Sequence, residues 1–114
     1  MQIKDLNTLP DFEELVPSDF PEDEISTSYC CDLLSVAMKG APAQCAWCTV
    51  MNNINTLAVA SLTDAACVIL CCGIHPTPEV LEKAAQQHIC LYQTNLPVFQ
   101  AALEVYKKQH ETDL

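Results

Sequence analysis

From Ile25 onward, apolar and polar positions fall into a repeated rhythm, a short β-type run followed by apolar residues at helical spacing. Ile25-Ser-Thr-Ser-Tyr29-Cys-Cys31 is β-rich, and Asp32 stands as an N-cap before Leu33 to Met38, a short helix that Gly40 can end. Cys45 to Met51 reads as a strand, Asn52 or Asn53 as a cap, and Ile54 to Leu62 as a helix with Ile54, Leu57, Ala58 and Leu62 along one face. Asp64 marks a turn. Ala65 to Cys72 is continuously apolar, the pattern of a central strand covered on both faces. Gly73-Ile-His-Pro76 then leads to a helix capped by Thr77 with Pro78 in its first position, where Val80, Leu81, Ala84 and Ala85 face inward. Ile89 to Tyr92 is the last strand, and Thr94 or Asn95 caps a final helix whose Phe99, Leu103 and Tyr106 share a stripe. This cadence predicts a single α/β domain, a mainly parallel sheet of about four to five strands flanked by helices.

The first two dozen residues have a different texture. Pro10, Pro17 and Pro21 interrupt any long helix, leaving at most a short one over Asp11 to Val16. The expected organisation is therefore an acidic irregular leader, 1–24, followed by the α/β domain, 25–114.

Charge sharpens that division. The leader holds eight carboxylates against Lys4 alone, so it carries seven of the ten net negative charges. Such a segment keeps a protein soluble or meets a basic protein partner. With five basic residues in the whole chain, a phosphate backbone finds no electrostatic support, and nucleic acid is excluded as a partner. Half of the 114 residues are hydrophobic, yet the longest apolar run is far too short to span a bilayer, and no apolar signal segment follows Met1. The expectation is a cytoplasmic protein without membrane partners.

Eight cysteines raise the question of redox or metal chemistry. Most fall inside strand-like runs, where Cys packs as a small hydrophobe. The one ligand-type spacing is Cys45-Ala-Trp-Cys48, without a second pair to complete a site. A redox pair also belongs at a helix N-terminus, whereas this one sits in a strand pattern. Cys45 and Cys48 remain an alternative metal or redox pair, the main reading being reduced core thiols and no cofactor.

The candidate binding residues collect where strands hand over to helices, the usual ligand position in an open α/β sheet. They are Asp32, Ser35, Trp47, Thr49, Asn53 and Asn55. Thr49 and Asn55 combine hydroxyl, amide and the free N–H groups of a helix start. Asp32 serves equally as a cap, Ser35 as a helix-surface residue, and Trp47 as either a stacking platform or core. His75 follows in a loop at the same sheet edge. Catalysis has less support, since no Ser-His-Asp order appears, Cys72 and His75 are only close in sequence, and two glycines cannot build a phosphate-cradling loop.

Several of these stretches together resemble the DRTGG domain: Tyr29-Cys-Cys-Asp32-Leu-Leu-Ser35, Trp47-Cys-Thr49, Asn55-Thr-Leu-Ala58-Val-Ala60, Val68-Ile-Leu70 and Pro78 to Ala84. That module is similar to the N-terminal domain of HPr kinase/phosphorylase, and stand-alone versions occur beside iron-only hydrogenase genes in anaerobes. The resemblance covers residues 22 to 108. It implies a non-catalytic regulatory or ligand-sensing module, a homodimer that binds a small molecule or nucleotide, tied to hydrogenase or anaerobic energy metabolism. A "serine kinase" label inherited through the family would mislead, because the catalytic machinery there lies in a separate domain. The alternatives are a cysteine-based iron–sulfur or redox accessory protein and a purely structural interaction domain. The chain departs from the family at Asp23-Glu24-Ile25-Ser26-Thr27, which lacks both naming glycines, and at Met51 and Asn53, where relatives carry Gln and His.

Overall fold

Short apolar runs bounded by turn residues give five strands, and the stretches between them carry the helices. The computed structural model describes residues 1–111. In chain order it has a 3-10 helix Ile3–Thr8, β1 Phe12–Val16, β2 Ser28–Cys30, α1 Leu34–Gly40, β3 Ala46–Thr49, α2 Ile54–Leu62, β4 Cys67–Leu70, α3 Pro78–Gln86, β5 Leu91–Thr94 and α4 Val98–Gln109. The strands form one sheet in the order β1-β5-β4-β3-β2. β2 to β5 run parallel, and β1 adds antiparallel to the outer edge of β5.

Because β2, β3, β4 and β5 are consecutive neighbours, right-handed crossovers carry α1, α2 and α3 to one face. There Ala37, Leu57, Ala60, Val80 and Ala84 pack on Trp47, Val68, Leu70 and Leu91. The opposite face holds Ala46, Cys48, Cys67, Ile69 and Tyr92 under Ala101, Ala102 and Val105 of α4 and under Ile3 and Leu6. β4, covered on both sides, is buried throughout, as its continuous apolar run requires.

The N-terminal segment is not an irregular leader. Ile3 and Leu6 are buried in the core, β1 pairs with β5, and backbone bonds from Ile3 to Asp23 and from Ile25 to Met1 close the segment on itself. A bulge between Glu14 and Val16 explains why β1 did not show as a strand. The extra residue breaks the alternation, so Phe12 enters one core cluster and Val16 the other. Glu13 and Glu14 are exposed on this edge strand, where charge discourages edge-to-edge pairing.

Helix details also differ from expectation. Asp32 does not cap α1; Leu33 takes the N-cap position without a side-chain bond. Neither Thr94 nor Asn95 caps α4, which starts after Pro97. α4 buries its small side, Ala101, Ala102 and Val105, and leaves Phe99, Leu103 and Tyr106 exposed. In α2, Leu57 is buried with Thr56, Val59 and Ala60, while Ile54, Ala58 and Leu62 are exposed. That helix is apolar nearly all round, so periodicity cannot select its inner face. Val80 and Ala84 of α3 face inward as expected, whereas Ala85 is exposed. Among the described residues no helix is long and apolar enough to cross a membrane.

Candidate functional site

Parallel strands with helical crossovers place four strand ends and the following helix starts along one sheet edge. Asp32, just past β2, reaches across to β3. Its Oδ1 accepts from the Thr49 hydroxyl at 2.7 Å and from the Val50 N–H at 2.9 Å. Thr49 is fully buried, and its Oγ1 in turn accepts from the Met51 N–H at 3.2 Å. The Asp32 carboxylate thus fixes the turn leading from β3 to α2.

Asn53 is the α2 N-cap, and its Oδ1 accepts from the N–H groups of Asn55 and Thr56 at 2.9 and 3.1 Å. Those N–H groups were expected to be free for a ligand, but the cap occupies them. The Thr56 hydroxyl closes the same turn by donating to the Met51 carbonyl at 2.8 Å.

Two further residues carry the cluster toward β4 and β5. Asn52 Nδ2 donates to the His75 carbonyl at 3.0 Å, and the buried Asn52 Oδ1 has no hydrogen-bond partner among the described residues. Gln93, 5 % exposed on β5, places Nε2 2.8 Å from His75 Nδ1. An amide nitrogen can only donate, so His75 Nδ1 is the acceptor of this bond. In the sequence Asn52 reads only as a possible helix cap, and Gln93 is not singled out. Gln93 had a detectable signal, a polar residue in a strand buried on both faces, where it must find a partner.

The remaining candidates separate. Trp47 is fully buried among the residues under α1–α3, with its indole N–H on the Cys31 carbonyl at 2.9 Å, so it is core and offers no stacking surface. Ser35 is exposed in the first turn of α1 and, among the described residues, joins no hydrogen bond of the cluster. Asn55 is exposed at the start of α2, beside the cap. Cys45 and Cys48 lie in the clusters on opposite sheet faces, as odd spacing along a strand requires, so they cannot share a metal ion. Among the described residues no group of three or more His, Cys, Asp or Glu side chains is placed to hold one.

The thiols next to this edge are paired instead. Cys48 donates to Cys71; that bond and burial hold the Cys48 thiol well above its ordinary range, and the same bond brings Cys71 down against the opposing effect of its own burial.

The edge is also poor in positive charge. The chain has no arginine, and Lys39, Lys83, Lys107 and Lys108 all stand in the last turns of their helices. In a parallel crossover fold, α1 and α3 end at the other edge of the sheet. The partners of Asp32 are a hydroxyl and a backbone N–H, those of Thr49 and Val50.

No protein-family model matches this chain, and no curated protein matches it significantly. A solved structure does. It is the crystal structure of the CBS and DRTGG domains of the regulatory region of a Clostridium perfringens pyrophosphatase, complexed with the activator diadenosine tetraphosphate. The TM-score is 0.66 at 16 % identity over 88 % of this chain. The fold is DRTGG-domain-like. This chain spans 43 % of that regulatory chain, whose other part is outside the likeness. The neighbour is a regulatory rather than a catalytic region.

Proposed function

We propose that this chain is a non-catalytic regulatory module that senses a small polar molecule at the carboxyl edge of its sheet. The observation that carries the reading is the polar bridge Asp32–Thr49–Val50, continued through Asn52, His75 and Gln93, across the ends of four parallel strands. A buried amide oxygen without a partner among the described residues, Asn52 Oδ1, gives this cluster an acceptor for a donor group. The DRTGG-like fold and the activator named for its structural neighbour support a regulatory role and a nucleotide-type ligand.

Charge selects within that class. A polyphosphate meets the Asp32 carboxylate with no lysine or arginine beside it, whereas an uncharged nucleoside meets donors and acceptors that suit base and ribose edges. Thermal shift with adenosine, AMP, ATP and diadenosine tetraphosphate tests this. Adenosine should stabilise most, and Thr49→Val should abolish the gain. No stabilisation by any of the four would overturn the reading.

The same reading includes a two-fold dimer through the exposed Phe99, Leu103 and Tyr106 of α4, which light scattering checks. It also includes a basic protein partner for the N-terminal carboxylates, now held in fixed positions on the folded surface. The link to hydrogenase metabolism rests on the sequence resemblance alone.

A further inference from the structure

On the sheet face under α4, cysteines of neighbouring strands stand side by side. Cys30 is the register partner of Cys48. Cys67 lies opposite Cys90, a placement fixed by the Val68–Leu91 register and by the Val68 N–H on the Cys90 carbonyl at 3.0 Å. Directly opposed residues on neighbouring strands are separated by about 4.8 Å. That lies within the roughly 4.4–6.8 Å Cα spacing that a disulfide bridges.

The Cys67–Cys90 pair has access from outside. Cys90, 4 % exposed, forms part of the wall of a cavity of about 180 Å³ at the amino edge of the sheet, with Gln44, Ser61, Asp64 and His88. This is the edge opposite the polar cluster of Asp32 and Thr49. A volume of this size is small for a nucleotide but ample for a molecule little larger than water. Behind the wall, the Cys67 thiol is hydrogen-bonded to Cys90; that bond and then burial push it well up, so Cys67 stays a protonated thiol against its neighbour's sulfur.

We propose that Cys67 and Cys90 form an oxidisable dithiol, modified by hydrogen peroxide that enters through this cavity. Cys90 sulfur attacks one peroxide oxygen; an S–O bond forms, the O–O bond breaks, and the departing hydroxide takes the Cys90 proton as water. Cys67 then gives up its proton and attacks the Cys90 sulfur. The S–S bond forms, the S–O bond breaks, and the second hydroxide leaves with that proton as water. Two sulfurs lose two electrons, and the peroxide gains two. Cys90 is the entry thiol and Cys67 the resolving one.

The test uses the full-length reduced protein, one equivalent of hydrogen peroxide, alkylation of remaining thiols and peptide mapping. The tryptic peptide 84–107 carries Cys90 as its one cysteine, so any link to it reports on that residue. The expected result is a Cys67–Cys90 disulfide ahead of any other. Cys67→Ala should replace that link with a sulfenic acid on Cys90, trapped by dimedone. A bulky aromatic disulfide reagent should label the exposed Cys30 and Cys72 at least about tenfold faster than Cys90. Oxidation of Cys30 or Cys72 with Cys90 still a thiol, or Cys90 oxidised in the wild type without a link to Cys67, would overturn the proposal. The wild-type map decides even if Cys67→Ala does not fold.

Discussion

Asp32 Oδ1 sits 2.7 Å from the Thr49 hydroxyl, so a residue that reads as a helix cap instead ties the end of one strand to the next. Two donors converge on that single oxygen, the second being the Val50 N–H. Asp32→Ala should lower stability by about 1–2 kcal/mol, since charge-assisted bonds exceed neutral ones and the exposed carboxylate tempers the effect. Asp32→Asn keeps an acceptor oxygen in place and should cost less than about 1 kcal/mol. Urea unfolding of both variants measures the difference; equal losses would mean that the geometry of the bridge is irrelevant.

Backbone handedness gives a prediction with two signs. Asp64 follows α2 with φ +57°, and the next residue, Ala65, bonds back to the Ala60 carbonyl at 2.9 Å, a helix end that favours glycine. Asp64→Gly should stabilise by about 0.5–1 kcal/mol, the relief of left-handed strain exceeding the entropy that glycine adds to the unfolded chain. Gly73 has φ +70°, and a Cβ there would meet Asn95 Oδ1 at 3.1 Å. Gly73→Ala should cost about 1–2 kcal/mol. Melting temperatures of the two variants should therefore move in opposite directions.

Buried thiols make the fold sensitive to alkali. Burial pushes Cys45 from 9.0 to about 11, and Cys48 and Cys67 also stand well above the ordinary thiol range. A raised folded pKa means that the native state binds more protons than the unfolded one, so stability falls as pH rises. Stability should be level below about pH 8 and decline from about pH 9 to 11 as unfolded-state thiols ionise first. Urea midpoints across that window check it, and Cys45→Ala should flatten the slope.

The parallel sheet could be read from its strand–helix cadence. α2 begins and ends at Ile54 and Leu62 as the periodicity predicts, and Asn53, Thr77 and Pro78 occupy the expected cap positions. β1 was hidden because its bulge breaks the alternation between Phe12 and Val16. The inner face of α4 was misread because large apolar residues outrank alanines in a sequence pattern, yet only the small side fits close to the sheet. Asp32 and Thr49 were both identified, but their bond depends on the parallel register of β2 and β3, which no local pattern encodes.

The central claim is that a small polar ligand binds at the carboxyl edge of the sheet. Its most direct test is a titration of the isotopically labelled protein with adenosine, followed by amide chemical shifts. The account predicts saturable shifts concentrated at Thr49, Val50, Asn52, Asn53 and Gln93. Shifts confined to Asp64, His88 and Cys90 at the opposite edge, or none at saturating ligand, would contradict it.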